Sequence, residues 1–137
     1  MIALFSVLAL AEPGRVTATG WATAAVSAPG PQLHGAVDYG VIRHLALGGQ
    51  GSLGPRGPSV AVGPRFDVVD SDWWRVGLHV LPGVVAQPGH SIAPALQVGG
   101  QVSWLAFWGV SFVVRADKTL AQDGGPLEIG GGLAVRM

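Results

Sequence analysis

The chain contains no cysteine, so neither a disulfide framework nor a thiol for lipid attachment is available to it. Charge is almost as scarce. Only 12% of its 137 residues are charged, eight acidic balancing eight basic, and 49% are hydrophobic. A soluble domain usually carries about a quarter charged residues to wet its surface. Zero net charge offers no electrostatic footprint for nucleic acid and no field to steer a charged substrate. Beyond the N-terminus no apolar run approaches the ~18–20 residues that a transmembrane helix requires. Also missing are a glycine-rich phosphate loop leading into a helix and any H-x3-H spacing among His34, His44, His79 and His90. The reading therefore includes no cofactor and no metal.

What the chain does have is alternation. Residues 15–28 read RVTATGWATAAVSA, with Val16, Ala18, Gly20, Ala22 and Ala24 on one parity and Arg15, Thr17, Thr19, Trp21 and Thr23 on the other. A period of two is the signature of a strand with unlike faces. The pattern returns in QLHGAVDYGVI (32–42), HLALGGQGSL (44–53), SVAVGPRFDVV (59–69), WRVGLHV (74–80), the long stretch from Leu96 to Ala116, and LEIGGGLAVRM (127–137). At 21 residues, Leu96–Ala116 is about twice the ~9–11 that cross a bilayer. Dividing it at Leu105-Ala106-Phe107 gives eight strands, and an odd-numbered turn there preserves the alternation.

The polar parity decides which face meets protein. It is mostly Gly, Ala, Ser, Thr and Gln with a few charges of both signs, too small and too weakly polar for a surface in water. Such residues suit the narrow interior of an eight-stranded barrel, which side chains just fill. The apolar parity then meets lipid, and hydrocarbon forces the sheet to close because every backbone polar group must be paired internally. The fold expected is all-β: a single antiparallel up-and-down transmembrane barrel with a polar, filled lumen. Short connections near Arg43, Asp70–Asp72 and Ala106 oppose longer ones at Ala28–Pro31, Gly54–Pro58, Pro82–Pro94 and Lys118–Pro126, the asymmetry of periplasmic turns and outer loops. Trp73, Trp74, Trp104 and Trp108 lie beside the short turns, where an aromatic girdle would sit at the lipid–water interface.

MIALFSVLALAEPG opens the chain, an apolar run ending in Ala9-Leu10-Ala11. Residues 1–11 read as the end of a secretory signal peptide without its charged n-region, and 12–137 as the barrel domain.

On these patterns the stretch Arg15–Met137 resembles the small eight-stranded outer-membrane β-barrel proteins of Gram-negative-type bacteria. The resemblance implies export and residence in the outer membrane, with the bilayer as the main partner and no nucleic acid, as a monomer. It departs at Met137, where such proteins typically end on an aromatic residue.

A charge buried in the lumen requires a partner. Asp38, Arg65, Asp67, Arg75, Arg115, Asp117, Glu128 and Arg136 are the expected interior network, closing the bore to ions. A hairpin centred on Ser71 would set Asp67 against Arg75, and the loop 118–126 would set Arg115 against Glu128. The leading function is a non-catalytic structural, envelope-stabilising or surface-interaction role, with any ligand of the outer loops unidentified. Two alternatives stand beside it. One is a lipid-modifying enzyme using the adjacent His90-Ser91, although adjacent loop residues rarely hold base and nucleophile in bonding geometry. The other is a secreted soluble barrel with its faces reversed around an apolar ligand.

Overall fold

The computed structural model describes residues 14–25, 30–55, 57–71, 73–86, 91–120 and 125–137. They form eight strands: β1 (Val16–Ala25), β2 (Pro31–Ile42), β3 (Leu45–Leu53), β4 (Ser59–Asp70), β5 (Trp74–Ala86), β6 (Ile92–Phe107), β7 (Val110–Leu120) and β8 (Leu127–Arg136). Each pairs antiparallel with its neighbours in sequence, and β8 returns to β1 to close the barrel. Thr17 stands opposite Arg136 at this closing seam, and Met137 donates its backbone N–H to Val16 O at 2.9 Å. Residues 1–11, read as a leader, lie outside the described residues.

Sequence parity becomes inside and outside. Leu33, Val37, Leu47, Val60, Val62, Leu78, Val80, Val114 and Leu133 are exposed, while Thr17, Thr19, Trp21, Gln50, Ser52, Gln97 and Gln101 on the opposite parity are buried. A closed sheet has no other place for a buried side chain than its bore. The reversed arrangement, an apolar interior around an apolar ligand, is thereby excluded.

One end of the barrel is made of short turns. β2 and β3 are joined by Arg43-His44, β6 and β7 by Trp108-Gly109. In the latter, φ is positive at both residues, 37° and 80°, the requirement of a two-residue hairpin turn matched to strand twist. The turn therefore falls three residues later than the expected division at Leu105-Ala106-Phe107. Those residues belong to β6, and the ladder skips Ala106 as it passes from Leu105↔Ser111 to Phe107↔Val110. A two-residue turn plus one extra strand residue preserves the alternation, as a three-residue turn would have done.

The same device recurs at the other two short turns. The ladder skips Val41 between Gly40 and Ile42, and Val68 between Asp67 and Val69. Each extra residue leaves two successive apolar side chains exposed, Val41 with Ile42 and Val68 with Val69. A bulge bends and twists its strand. Here it falls each time in the strand entering the turn.

At the opposite, loop end the strands run further than the sequence suggests. Pro82 lies within β5 and Pro94 within β6, opposite Leu96 and Val84 respectively. The β4–β5 ladder is interrupted between Ala61↔Gly83 and Arg65↔His79, where Pro64 and Pro82 have no N–H to contribute.

The exposed aromatic residues gather at the short-turn end. Trp74 faces Trp104, which faces Phe112. Trp73, Phe107 and Trp108 surround them, and Tyr39 and Phe66 continue the band on β2 and β4.

Candidate functional site

The barrel interior concentrates the chain's polar chemistry. Asp38, Arg65, Asp67, Arg75, Arg115, Asp117 and Glu128 are all buried; Arg136 is half-buried near the short-turn mouth. Arg65 on β4 contacts the carboxylate of Asp38 on β2, reaching over β3. The reach is possible because β3 offers only Ala46 opposite Arg65 and Gly48 opposite Asp38. A Cβ on Gly48 would run into the Asp38 carboxylate.

The same arrangement holds His79 and Asp117. They flank Gly99 in one row of the ladder, on β5 and β7 with β6 between them. His79 Nε2 lies 2.5 Å from Asp117 Oδ1 across the missing side chain. A carboxylate only accepts, so Nε2 carries the proton of the ring. In both cases a glycine on the middle strand lets two long side chains meet over it.

Arg115 is the centre of the bore and 1% exposed. Its Nε donates to Asp117 Oδ2 at 2.8 Å. Its Nη2 donates to Gln50 Oε1 and lies 3.0 Å from His79 Nε2. The guanidinium carbon sits 4.1 Å from the centroid of the Trp21 ring, in cation–π geometry, and Trp21 stacks on His34 at 5.0 Å with 7° between planes. Gln50 is on β3 and Arg115 on β7, four strands apart among eight, so their bond spans the full bore. Gln50 continues to Gln97 on β6, whose Nε2 donates to Ser59 Oγ at 3.3 Å; Ser59 meets Ser52 at 2.6 Å. From β2, Gln32 Nε2 donates to Ser52 Oγ at 3.0 Å and to the carbonyl of Gly57 at 3.1 Å.

Two expected ion pairs fare differently. Arg75 Nη1 lies 3.8 Å from Asp67 Oδ2, but the two are not directly opposite. The Val68 bulge shifts the register, so that Asp67 faces Gly77 and Arg75 faces Asp70; the pair is diagonal. Arg115 and Glu128 are not paired. Arg115 faces Gly130, and Glu128 faces Asp117 with its Oε2 3.5 Å from His34 Nε2. The loop's centre of pairing falls one residue later than the sequence suggests, which moves each partner by two, and Arg115 turns to Asp117 on its own strand.

Histidines and glutamines were the interior residues not foreseen as partners: His34, His79, Gln32, Gln50 and Gln97. Their signal was present, since each sits on the inward parity and three glutamines stand amid glycines and small residues. The run Gly130-Gly131-Gly132 also finds a use. A Cβ on Gly132 would strike the β1 chain at Gly20 and Trp21, and one on Gly130 would strike it at Ala22 and Thr23, so these two glycines let β8 pass close against β1.

No group of three metal-ligating side chains occurs among the described residues. His90 lies outside the described residues and Ser91 is exposed. Trp73, Trp74, Trp104 and Trp108 are exposed by 67%, 41%, 44% and 93%, so none is a core residue.

No protein-family model matches the chain, and no curated protein sequence matches it. Its structure is similar to several solved ones. The N-terminal β-barrel domain of Pseudomonas aeruginosa OprF shares 11% identity over 91% of this chain and 98% of that one, with a TM-score of 0.69. A de novo designed transmembrane β-barrel shares 14% over 92% and 98%, with 0.68. The Yersinia pestis outer-membrane protein Ail, determined in a phospholipid bilayer nanodisc, shares 14% over 92% and 100%, with 0.59. At such identities the likeness is one of fold: the chain has the fold of the small eight-stranded transmembrane β-barrels.

Proposed function

We propose that the protein is an outer-membrane barrel of a Gram-negative-type bacterium with a non-catalytic structural, envelope-stabilising or surface-interaction role. It is exported through a leader at residues 1–11, resides in the bilayer as a monomer and conducts no ions. The observation that carries the reading is the tie between Arg115 on β7 and Gln50 on β3, which crosses a bore of only eight strands inside a wall that is apolar outward. Side chains fill a barrel of that size, and Arg115, Asp117, His79, Gln50 and Gln97 occupy its middle. The eight interior charges then serve stability, each offsetting another's burial. The tryptophans at the short turns serve as interfacial anchors on the periplasmic side.

Membrane fractionation with heat-modifiable gel migration of the folded barrel tests the placement; recovery in the soluble fraction without detergent refutes it. Planar bilayers test the seal. Conductance at the bare-membrane baseline is expected, and stable ohmic single-channel steps would overturn the non-conducting assignment.

A further inference from the structure

Four buried residues, Arg115 among them, carry polar groups that the hydrogen bonds of the network do not reach. Arg115 directs Nε and Nη2 to Asp117 and Gln50, while its Nη1 has no hydrogen-bond partner among the described residues. The same is true of Trp21 Nε1, of Thr19 Oγ1, and of both amide atoms of Gln101. These four residues are 1%, 4%, 4% and 3% exposed in that order. Such groups ordinarily find a partner, because a buried donor left unmet carries its full desolvation cost.

Their placement draws them together. Gln101 is directly opposite Arg115 on the β6–β7 ladder. Arg115 lies over the Trp21 ring, and Thr19 is two residues from Trp21 on the same inward parity of β1. Small residues border them: Thr19 stands between Ala36 and Ala134, and Gln101 has Gly77 on its other side, with the Asp67 carboxylate, paired to Arg75, lying over that glycine. The interior carboxylates are already matched: Asp117, two residues further along β7 towards the loop end, is held by Arg115 Nε, Asp38 by Arg65 and Asp67 by Arg75. Guanidinium and indole N–H groups can only donate, the amide donates through Nε2, and the hydroxyl can do so. A donor-dominated pocket beside a guanidinium suits an anion, and the alanine and glycine surroundings restrict it to a small one.

We propose that Arg115 Nη1, Trp21 Nε1, Gln101 Nε2 and Thr19 Oγ1 bind a single small anion of the halide class inside the barrel. An anion bound only by the folded state stabilises it by mass action. Above the dissociation constant, each tenfold rise in its concentration multiplies the folded-to-unfolded ratio by about ten.

The test follows the thermal midpoint of the folded barrel in detergent, by heat-modifiable gel migration. Potassium chloride replaces potassium gluconate at constant ionic strength. The midpoint of the unaltered protein is expected to rise with chloride. Trp21→Phe keeps the ring and removes the N–H, and is expected to flatten the rise. Gln101→Glu sets a fixed carboxylate beside Arg115 and is expected to abolish it. Chlorine NMR line broadening, present in the unaltered protein and reduced in Thr19→Val, provides a binding readout that does not depend on stability. A midpoint indifferent to chloride, without line broadening, would overturn the proposal and assign these donors to water. An equal chloride response in all variants would overturn it too, as a general salt effect.

Discussion

Gly99 occupies the point in the barrel where one methyl group should do most damage. It sits on β6 between His79 and Asp117, and a Cβ there would meet Asp117 Oδ1, the Ala116 carbonyl and His79 Cε1, the last at 2.8 Å. One of these atoms, Asp117 Oδ1, accepts the His79 bond, and Cε1 adjoins the Nε2 that donates it, so the side chains cannot both stay. Overpacking alone costs about 1–3 kcal/mol. Displacing Asp117 also deprives Arg115 of the carboxylate it is paired with, and a buried ion pair broken on one side costs about 3–5 kcal/mol. Partial relaxation keeps the terms from adding in full, which places Gly99→Ala near ~3 kcal/mol, roughly a hundredfold in the folded-to-unfolded ratio. Gly35 is the control: it faces outward on β2, and a Cβ there meets nothing within 4 Å. Gly35→Ala should fall within about 0.5 kcal/mol of the parent. Reversible urea unfolding in lipid vesicles, followed by tryptophan fluorescence, measures both. Equal costs for the two substitutions would refute the argument that glycine on a middle strand is what lets the interior partners meet.

Three further outcomes are expected from the same unfolding assay. Val62→Arg, outward and inside β4 away from its ends, should cost about 2–4 kcal/mol, and Val110→Arg beside the Trp108-Gly109 turn only about 0–1, because the penalty for a charge falls off towards the interface; similar costs would contradict the assigned depth. A double-mutant cycle on Asp67→Asn and Arg75→Gln should return a coupling of about 1 kcal/mol or more, since both partners are buried, and a coupling of zero would remove the diagonal pair. Gly109→Ala should destabilise by about 1–2 kcal/mol, because φ is 80° there and a Cβ resists that conformation, whereas Trp108→Asn should be neutral or stabilising in the turn; the reverse order would show that the turn is held by contacts of the tryptophan ring.

Strand number, closure and the inward parity were legible because a half-buried strand repeats every two residues and eight repeats reinforce one another. Register was not. Bulges at Val41, Val68 and Ala106 each add a residue without disturbing the face pattern further along, so parity alone passes over them. A mark does exist: doubled apolar residues, Val41-Ile42 and Val68-Val69, stand immediately before two of the short turns. Reading them as bulges would have moved Arg75 from Asp67 to Asp70. The turn at Trp108-Gly109 carried its glycine openly, but an exposed tryptophan at positive φ (37°) is an uncommon turn residue. The interior partnerships were least legible, because they join strands two to four apart, and distance around a barrel has no counterpart in sequence spacing. Arg115 could be assigned to the bore from its parity; that it meets Gln50 rather than Glu128 depends on the tilt of the strands.

Every exposed aromatic residue described lies in the short-turn half, while the loop end presents Leu33, Leu53, Val60, Val84, Ile92, Leu120 and Leu127. In a bilayer, indole rings hold their depth at the headgroup level and aliphatic side chains do not. The barrel is then moored from one leaflet. Lengthening the lipid chains leaves the short turns where they are and draws the far rim down towards the hydrocarbon, while shorter chains lift it clear. The height at which the long loops of that rim stand above the surface becomes a property of the host membrane as much as of the protein.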